Sequence, residues 1–295
     1  MKALEIVHLL YAIIGGSTNL ALLTIILITK RSGLKSYAII TFNIACVDIV
    51  EIVLDAFIVP SNFGPEVCFR SHMVMLHLVF FSLFLIAYSF WYRYTVLVKE
   101  PPSGLVVQMF AVVMFIPNAI STLIFFFAKD DPEQSYSILH SIYPTMDVNS
   151  SSHRSFNFFD PFSAPTDFYA VIMPFVVYTS IVFMRKKAIC STNLRANFRS
   201  QALTFHAILP STICIGVNFY FLQIMGVYSP IADSLIFAFL CIPAVFNPCL
   251  PLYFVAPYRM YVERNPWNCP GRILKAIGRE QASTTITLST SSNAR

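Results

Sequence analysis

Three carboxylates, Asp48, Glu51 and Asp55, stand at steps of three and four residues inside an otherwise apolar run. At 100° per residue, positions 48 and 55 nearly superimpose on a helix, and 51 lies within about 60° of them. They make one stripe about 10 Å long. A carboxylate at bilayer depth is costly unless it faces protein or water, so residues of this kind mark function by default. Asp55 has the outer headgroups within reach. Asp48, near mid-membrane, does not, and must be protonated, hydrated or bound to a cation. The stripe therefore suits either a polar switch inside a helix bundle or a path for cations or protons.

Little else in the chain could do chemistry. His72, His77 and His206 lack metal-ligand spacing and read as pore-facing or hydrogen-bonded core residues. Paired metal ligands, a Ser/Lys dyad and a Gly-rich phosphate loop are missing from the sequence. The expectation is a protein that is not an enzyme, with no metal site and no cofactor beyond a cation near Asp48.

The elements that must position the stripe are long and apolar. Of 295 residues, 56% are hydrophobic and 12% charged, a balance no water-soluble domain of this size could hide. Seven runs are long enough to cross a bilayer: about Ile6–Thr29, Tyr37–Pro60, Ser71–Tyr94, Leu105–Ala128, Phe168–Met184, Gln201–Met225 and Ile231–Ala256. With the N-terminus outside, 16 of the 20 Lys and Arg fall on the inner side, as the positive-inside rule requires. The expected fold is an all-α membrane protein, a seven-transmembrane helix bundle with its N-terminus outside and its C-terminus inside. The net charge of +5 then reads as attraction to the anionic cytoplasmic leaflet, not to nucleic acid.

The first run is too long for a signal-peptide core, although Gly15-Gly16-Ser17 faintly resembles a cleavage site, and it reads as an uncleaved span. Cys46, Cys214, Cys241 and Cys249 fall in spans as packing residues, and Cys190 and Cys269 face the cytosol. Cys68 alone lies on the outer side, with no evident extracellular partner. The longest loop, about 129–167, holds Asn149-Ser150-Ser151, a glycosylation acceptor if that loop is luminal, though the pattern also arises by chance. Pro117, Pro174, Pro210, Pro243 and Pro248 sit within spans, either as plain helix shaping or as hinges.

Residues 1–256 read as the bundle and 257–295 as a cytoplasmic tail. The tail carries a short amphipathic stretch, Arg272–Glu280, and eight Ser or Thr between Ser283 and Ser292. A solvated disordered end and a kinase target both fit that composition. The sequence shows no internal repeat of the kind built into many transporters.

Asn43-Ile44-Ala45-Cys46-Val47-Asp48 resembles the Asn-x-Ala-x-x-Asp pattern of the second helix in rhodopsin-like G-protein-coupled receptors. Asn19 fits their first-helix asparagine, and Trp91-Tyr92-Arg93-Tyr94 resembles their Asp-Arg-Tyr motif. Cys68 lies the same 25 residues before Arg93 as in those receptors. Asn247-Pro248 followed by Tyr253 resembles their Asn-Pro-x-x-Tyr segment with two extra residues. A closer resemblance is to nematode chemoreceptors of the Str superfamily, and within it the serpentine receptor class delta (Srd) group. It is carried by Gly64–Phe69, Ser89–Leu97, Asn247-Pro248 and Tyr253–Arg259, and it covers about Ile6–Arg259.

The resemblance implies a receptor in the plasma membrane of sensory cilia that binds a small odorant or pheromone and activates a heterotrimeric G protein. It implies coupling through Arg93 with Tyr92, Tyr94, Arg185, Lys186 and Lys187. An intramembrane switch would comprise Asn19, Asp48, Glu51, Asp55, Asn247, Pro248 and Tyr253, with Pro210 a hinge for the sixth helix. The ligand is expected between the outer halves of the third, fifth, sixth and seventh helices. Departures are specific. Tyr92 stands where an acid usually neighbours the arginine, and Arg199-Ser200-Gln201 offers no acid at the base of the sixth span. Arg93 must then be met by tyrosine hydroxyls, carbonyls or lipid phosphates. The second outer loop has no cysteine for Cys68, and the outer loop before Cys68 is short for the group. The competing reading is a ligand-gated cation channel or proton-coupled transporter that uses the acidic stripe.

Overall fold

The structure, a computed structural model, describes residues 2–29, 35–58, 65–127, 140, 164–191, 197–225 and 230–264. Seven long helices follow one another: α1 (Lys2–Ile28), α2 (Lys35–Ile58), α3 (Pro65–Val98), α4 (Gly104–Phe125), α5 (Ala164–Ser191), α6 (Asn197–Ile224) and α7 (Pro230–Phe246). Two short ones close the described chain, α8 (Cys249–Phe254) and α9 (Ala256–Arg264). Seven helical segments are long and apolar enough to span a membrane, the last of them Leu235–Phe254. Helices suit that solvent because every backbone polar group is satisfied within the element. Lipid-facing sides stay apolar: Leu9 and Ile13 on α1, and Leu105, Met109 and Val113 on α4, are exposed.

The helices run α1, α2, α3, α5, α6, α7 around the bundle, and α7 returns to α1. Helix α4 packs outside this ring against α2 and α3. Helix α3 is the axis, its span the most buried of the seven. One apolar cluster joins Val79, Leu83, Ile86 and Phe90 of α3 to Val177 and Ile181 of α5, Ile213 and Val217 of α6, and Ile236 and Leu240 of α7. Helices α1, α2 and α7 approach closely at Gly15, where an added Cβ would lie 2.6 Å from Ile52 Cδ1 and 3.4 Å from Val245 Cα. Small residues allow such approach between membrane helices.

Spans expected from hydropathy match the helices, with one correction. The seventh run is not continuous over Ile231–Ala256. It breaks at Asn247-Pro248 and again at Val255, whose backbone is extended (φ −87°, ψ 106°). Pro248 and Pro251, three residues apart, each remove one rung of the helix ladder, which weakens it where the breaks fall. Beyond the break, α9 turns back onto α1: Tyr258 and Val262 are buried with Leu22 and Ile25. Spacing of four puts those two residues on one face of α9. Burial pushes the Tyr258 hydroxyl up to about 12, with Tyr37 adding to the effect. Pro117, Pro174, Pro210 and Pro243 lie inside helices, as expected.

Candidate functional site

Two polar clusters and one cationic cluster hold most of the described side chains singled out in the sequence. All three carboxylates of α2 are buried: Asp48 is 0% exposed, Glu51 3% and Asp55 2%. Their common stripe therefore faces the interior, as its spacing predicts.

Asp48 is the centre of the first cluster. Ser82 of α3 donates its hydroxyl to Oδ1 at 3.0 Å, and Asn247 donates from Nδ2 to Oδ2 at 3.2 Å. Asn19 of α1 donates from Nδ2 to the carbonyls of Gly15 and Ala244, both at 2.9 Å. Asn19, Asp48, Ser82 and Asn247 thus tie α1, α2, α3 and the break in α7 together in mid-bundle. The carbonyl of Ala244 is one turn before Pro248, which cannot donate to it, so the proline frees the acceptor that Asn19 uses. A narrow cleft runs from this cluster past Thr41, Ile86 and Ser89 to Tyr37, His206 and Pro251.

The second cluster corrects one expectation. Asp55 does not reach towards headgroups. It is buried against His8 of α1, whose Nδ1 lies 2.7 Å from Oδ2. His8 was missed by the sequence reading, because a single histidine in an apolar run has no partner within its own helix. Glu51 lies between the two clusters, and its Oε1 is buried without a hydrogen-bond partner.

Arg93 leads the cationic cluster at the opposite end of the bundle. Its guanidinium donates to the hydroxyl of Tyr37 at 2.5 Å and lies 5.2 Å from the centre of that ring. Tyr92 stacks on Tyr37 with ring centres 6.2 Å apart. Among the described residues no carboxylate pairs with Arg93. A tyrosine hydroxyl has taken the place of the missing acid. Helix α5 brings its basic end to the same place: Lys187 lies 5.2 Å over the ring of Tyr94, and Arg185 donates to Thr204 of α6 at 2.9 Å. Lys186 is exposed.

Remaining candidates are placed more plainly. Pro210 is buried inside α6. Tyr253 lies at the end of α8, its ring edge-on to Phe254 at 4.8 Å. His77 is buried and bonded to the carbonyl of Met73 at 2.8 Å, and His206 packs edge-on to Phe90. His72 packs edge-on to Phe237 at 4.9 Å. Asn149, Cys269 and the Ser/Thr-rich end lie outside the described residues, as do the side chains of Cys68, Cys190 and Arg199.

A seven-helix bundle with a central third helix and a broken seventh helix defines the class: a rhodopsin-like receptor fold. Squid rhodopsin superimposes with a TM-score of 0.63 over 90% of this chain and 85% of that one, at 16% identity. The family model of the serpentine type 7TM GPCR chemoreceptor Srd matches residues 59–264, and the chain belongs to that family. Serpentine receptor class delta-18 of Caenorhabditis elegans is 28% identical, with 90% of this chain and 89% of the relative aligned. Serpentine receptor class delta-19 of the same organism is 27% identical over 88% and 87%. The protein is a multi-pass membrane receptor of the G-protein-coupled type, not an enzyme.

Proposed function

We propose that this chain is a chemosensory receptor that binds a small external molecule and activates a heterotrimeric G protein. The single observation that carries the reading is the arrangement around Arg93. One partly buried guanidinium sits at the end of the central helix, beside the basic end of α5, held by an uncharged tyrosine instead of an acid. The topology that suits it has the N-terminus outside, so that Arg93, Tyr92, Tyr94, Arg185, Lys186 and Lys187 face the cytoplasm. The setting is the plasma membrane of a sensory cell, its cilia included.

The mechanism is a conformational switch without covalent chemistry. A ligand shifts the bundle only by as much as it prefers one state. An odorant or pheromone would lodge between the outer halves of α3, α5, α6 and α7, above a core those helices share that is built mainly from Val, Ile, Leu and Phe. Lipid-like or aromatic odorants fit this chemistry. Movement of the inner half of α6 about Pro210 separates Thr204 from Arg185 and frees the cytoplasmic face. Asn19, Asp48, Glu51, Asp55, Asn247, Pro248 and Tyr253 act as the polar switch that relays movement of α7 to α2 and α3. A cation beside Asp48 is one way to carry its charge; the hydrogen bonds from Ser82 and Asn247 are another.

Transport through the acidic stripe has no comparable support. Asp48 and Asp55 are each engaged by side chains of other helices and belong to separate clusters. The test is Arg93→Ala. It is expected to abolish G-protein activation while surface expression and ligand binding survive, and retained activation would remove the reading's main support.

A further inference from the structure

At the end of the bundle that carries the N-terminus, three helices bring one metal-ligand type each to a single point. The donor atoms of His8 on α1, Asp55 on α2 and Cys241 on α7 all lie within 4.8 Å of one another. The three residues are buried, at 2%, 2% and 4% exposure. His8 Nδ1 lies 2.7 Å from Asp55 Oδ2, and the Cys241 sulfur has donor atoms of both residues within 4.8 Å.

A buried His–Asp pair beside a packing thiol would account for those contacts alone. It does not account for Glu51. This residue lies four positions before Asp55 on the same face of α2. It is 3% exposed, and its Oε1 has no hydrogen-bond partner. A buried carboxylate oxygen left unpaired costs several kcal/mol, on the order of 1–3 or more. The charge is also out of balance. Three buried carboxylates share the stripe of α2, only Asp55 meets a histidine, and among the described residues no Lys or Arg is buried. A divalent cation held by His8, Asp55 and Cys241 would offset that charge one helical turn from Glu51.

The donor set selects the kind of cation. Imidazole nitrogen, thiolate sulfur and carboxylate oxygen in one tetrahedron are the ligands of zinc and similar borderline-soft ions. Calcium and magnesium demand oxygen ligands. Zinc bonds of about 2.0–2.3 Å put neighbouring donors roughly 3.3–3.8 Å apart. The His8–Asp55 pair would open by less than about 1 Å to reach that geometry, and the widest separations would close by about as much. Side-chain rotation supplies such movements without displacing a helix.

We propose that His8, Asp55 and Cys241 form a three-ligand binding site for a zinc-type divalent cation, its fourth position left to water or another small ligand. Binding releases the thiol proton of Cys241 to solvent, as metal thiolates require. The bound ion ties α1, α2 and α7 together next to the Gly15 contact. The proposal does not rest on the receptor reading, because its test reads metal and not signalling.

The experiment uses the full chain, purified in detergent, stripped with chelator and titrated with Zn2+ or Co2+ alone. Wild type is expected to retain one equivalent of zinc after desalting. Its Co2+ complex should show the near-ultraviolet charge-transfer band of a thiolate ligand. His8→Ala and Asp55→Asn should weaken binding by about tenfold or more. Cys241→Ser, nearly isosteric, should unfold at the wild-type temperature and lose the band. A wild-type chain that retains no stoichiometric metal would overturn the proposal. So would a Co2+ spectrum without the thiolate band, or variants that bind as wild type does.

Discussion

Tyr37 of α2 accepts a hydrogen bond from the guanidinium of Arg93 at 2.5 Å, so the start of the second helix pins the end of the third. Arg93 has no acid beside it in the sequence, and it is the uncharged hydroxyl of Tyr37 that meets it. A hydrogen bond to a charged group contributes about 1.5–3 kcal/mol, against more for a buried ion pair broken on one side. If this contact restrains the resting state, as proposed, the restraint is weaker than an ion pair.

Tyr37→Phe removes the acceptor and keeps the ring that lies under Arg93. Loss of about 1.5 kcal/mol corresponds to roughly tenfold in an equilibrium. Ligand-independent nucleotide exchange on the G protein is expected to rise about three- to tenfold, at unchanged surface expression. Exchange at the wild-type level would show that the Arg93–Tyr37 contact does not restrain the resting state.

Asn19→Ala removes the donor that joins α1 to the carbonyl of Ala244. That carbonyl is left without the donor its proline-broken helix cannot replace. The cost expected is about 1–3 kcal/mol, read as a fall of several degrees in unfolding temperature in detergent. Asn19→Asp, which cannot donate when ionised, should behave like the alanine variant. An unfolding temperature within a degree of wild type for both would remove Asn19 from the interhelical network.

Adjacent glycines in α1 should respond in opposite ways. Gly15→Ala puts a Cβ 3.2 Å from Val245 Cγ2 and 2.6 Å from Ile52 Cδ1, and the α1–α7 contact must open slightly. Overpacking of this kind costs about 1–3 kcal/mol. At Gly16 nothing lies within 4 Å of the added Cβ, so Gly16→Ala should be neutral or stabilising by up to about 1 kcal/mol through helix propensity. Thermal unfolding of the two variants side by side checks the order. Equal stability would mean that α1 is not seated against α2 and α7 as described.

Hydropathy and charge placement made the seven helices legible, since a membrane span is nearly uniform in composition. The inward face of the acidic stripe was legible too, because steps of three and four residues encode a face directly. Interhelical partners were not. His8 and Asp55 are 47 residues apart, and Cys241 enters from a third helix, so no local pattern joins them. Cys241 looked like packing and Asp55 looked like a headgroup contact. The break in α7 was half visible: Asn247-Pro248 drew attention as a motif, while the apolar run hid its effect on the helix. Helix α9 escaped notice because its charged residues outweigh the paired Tyr258 and Val262 that fix it to α1.

The central claim is that this chain signals through a G protein and does not itself carry current or solute. The most direct measurement is the calcium or cyclic-nucleotide response of cells expressing it, challenged with odorant mixtures, in matched lines with and without Gα subunits. The response is expected to vanish when Gα is absent. A response that persists without Gα would contradict it, and would turn attention to Asp48, Glu51 and Asp55 as the lining of a path through the membrane.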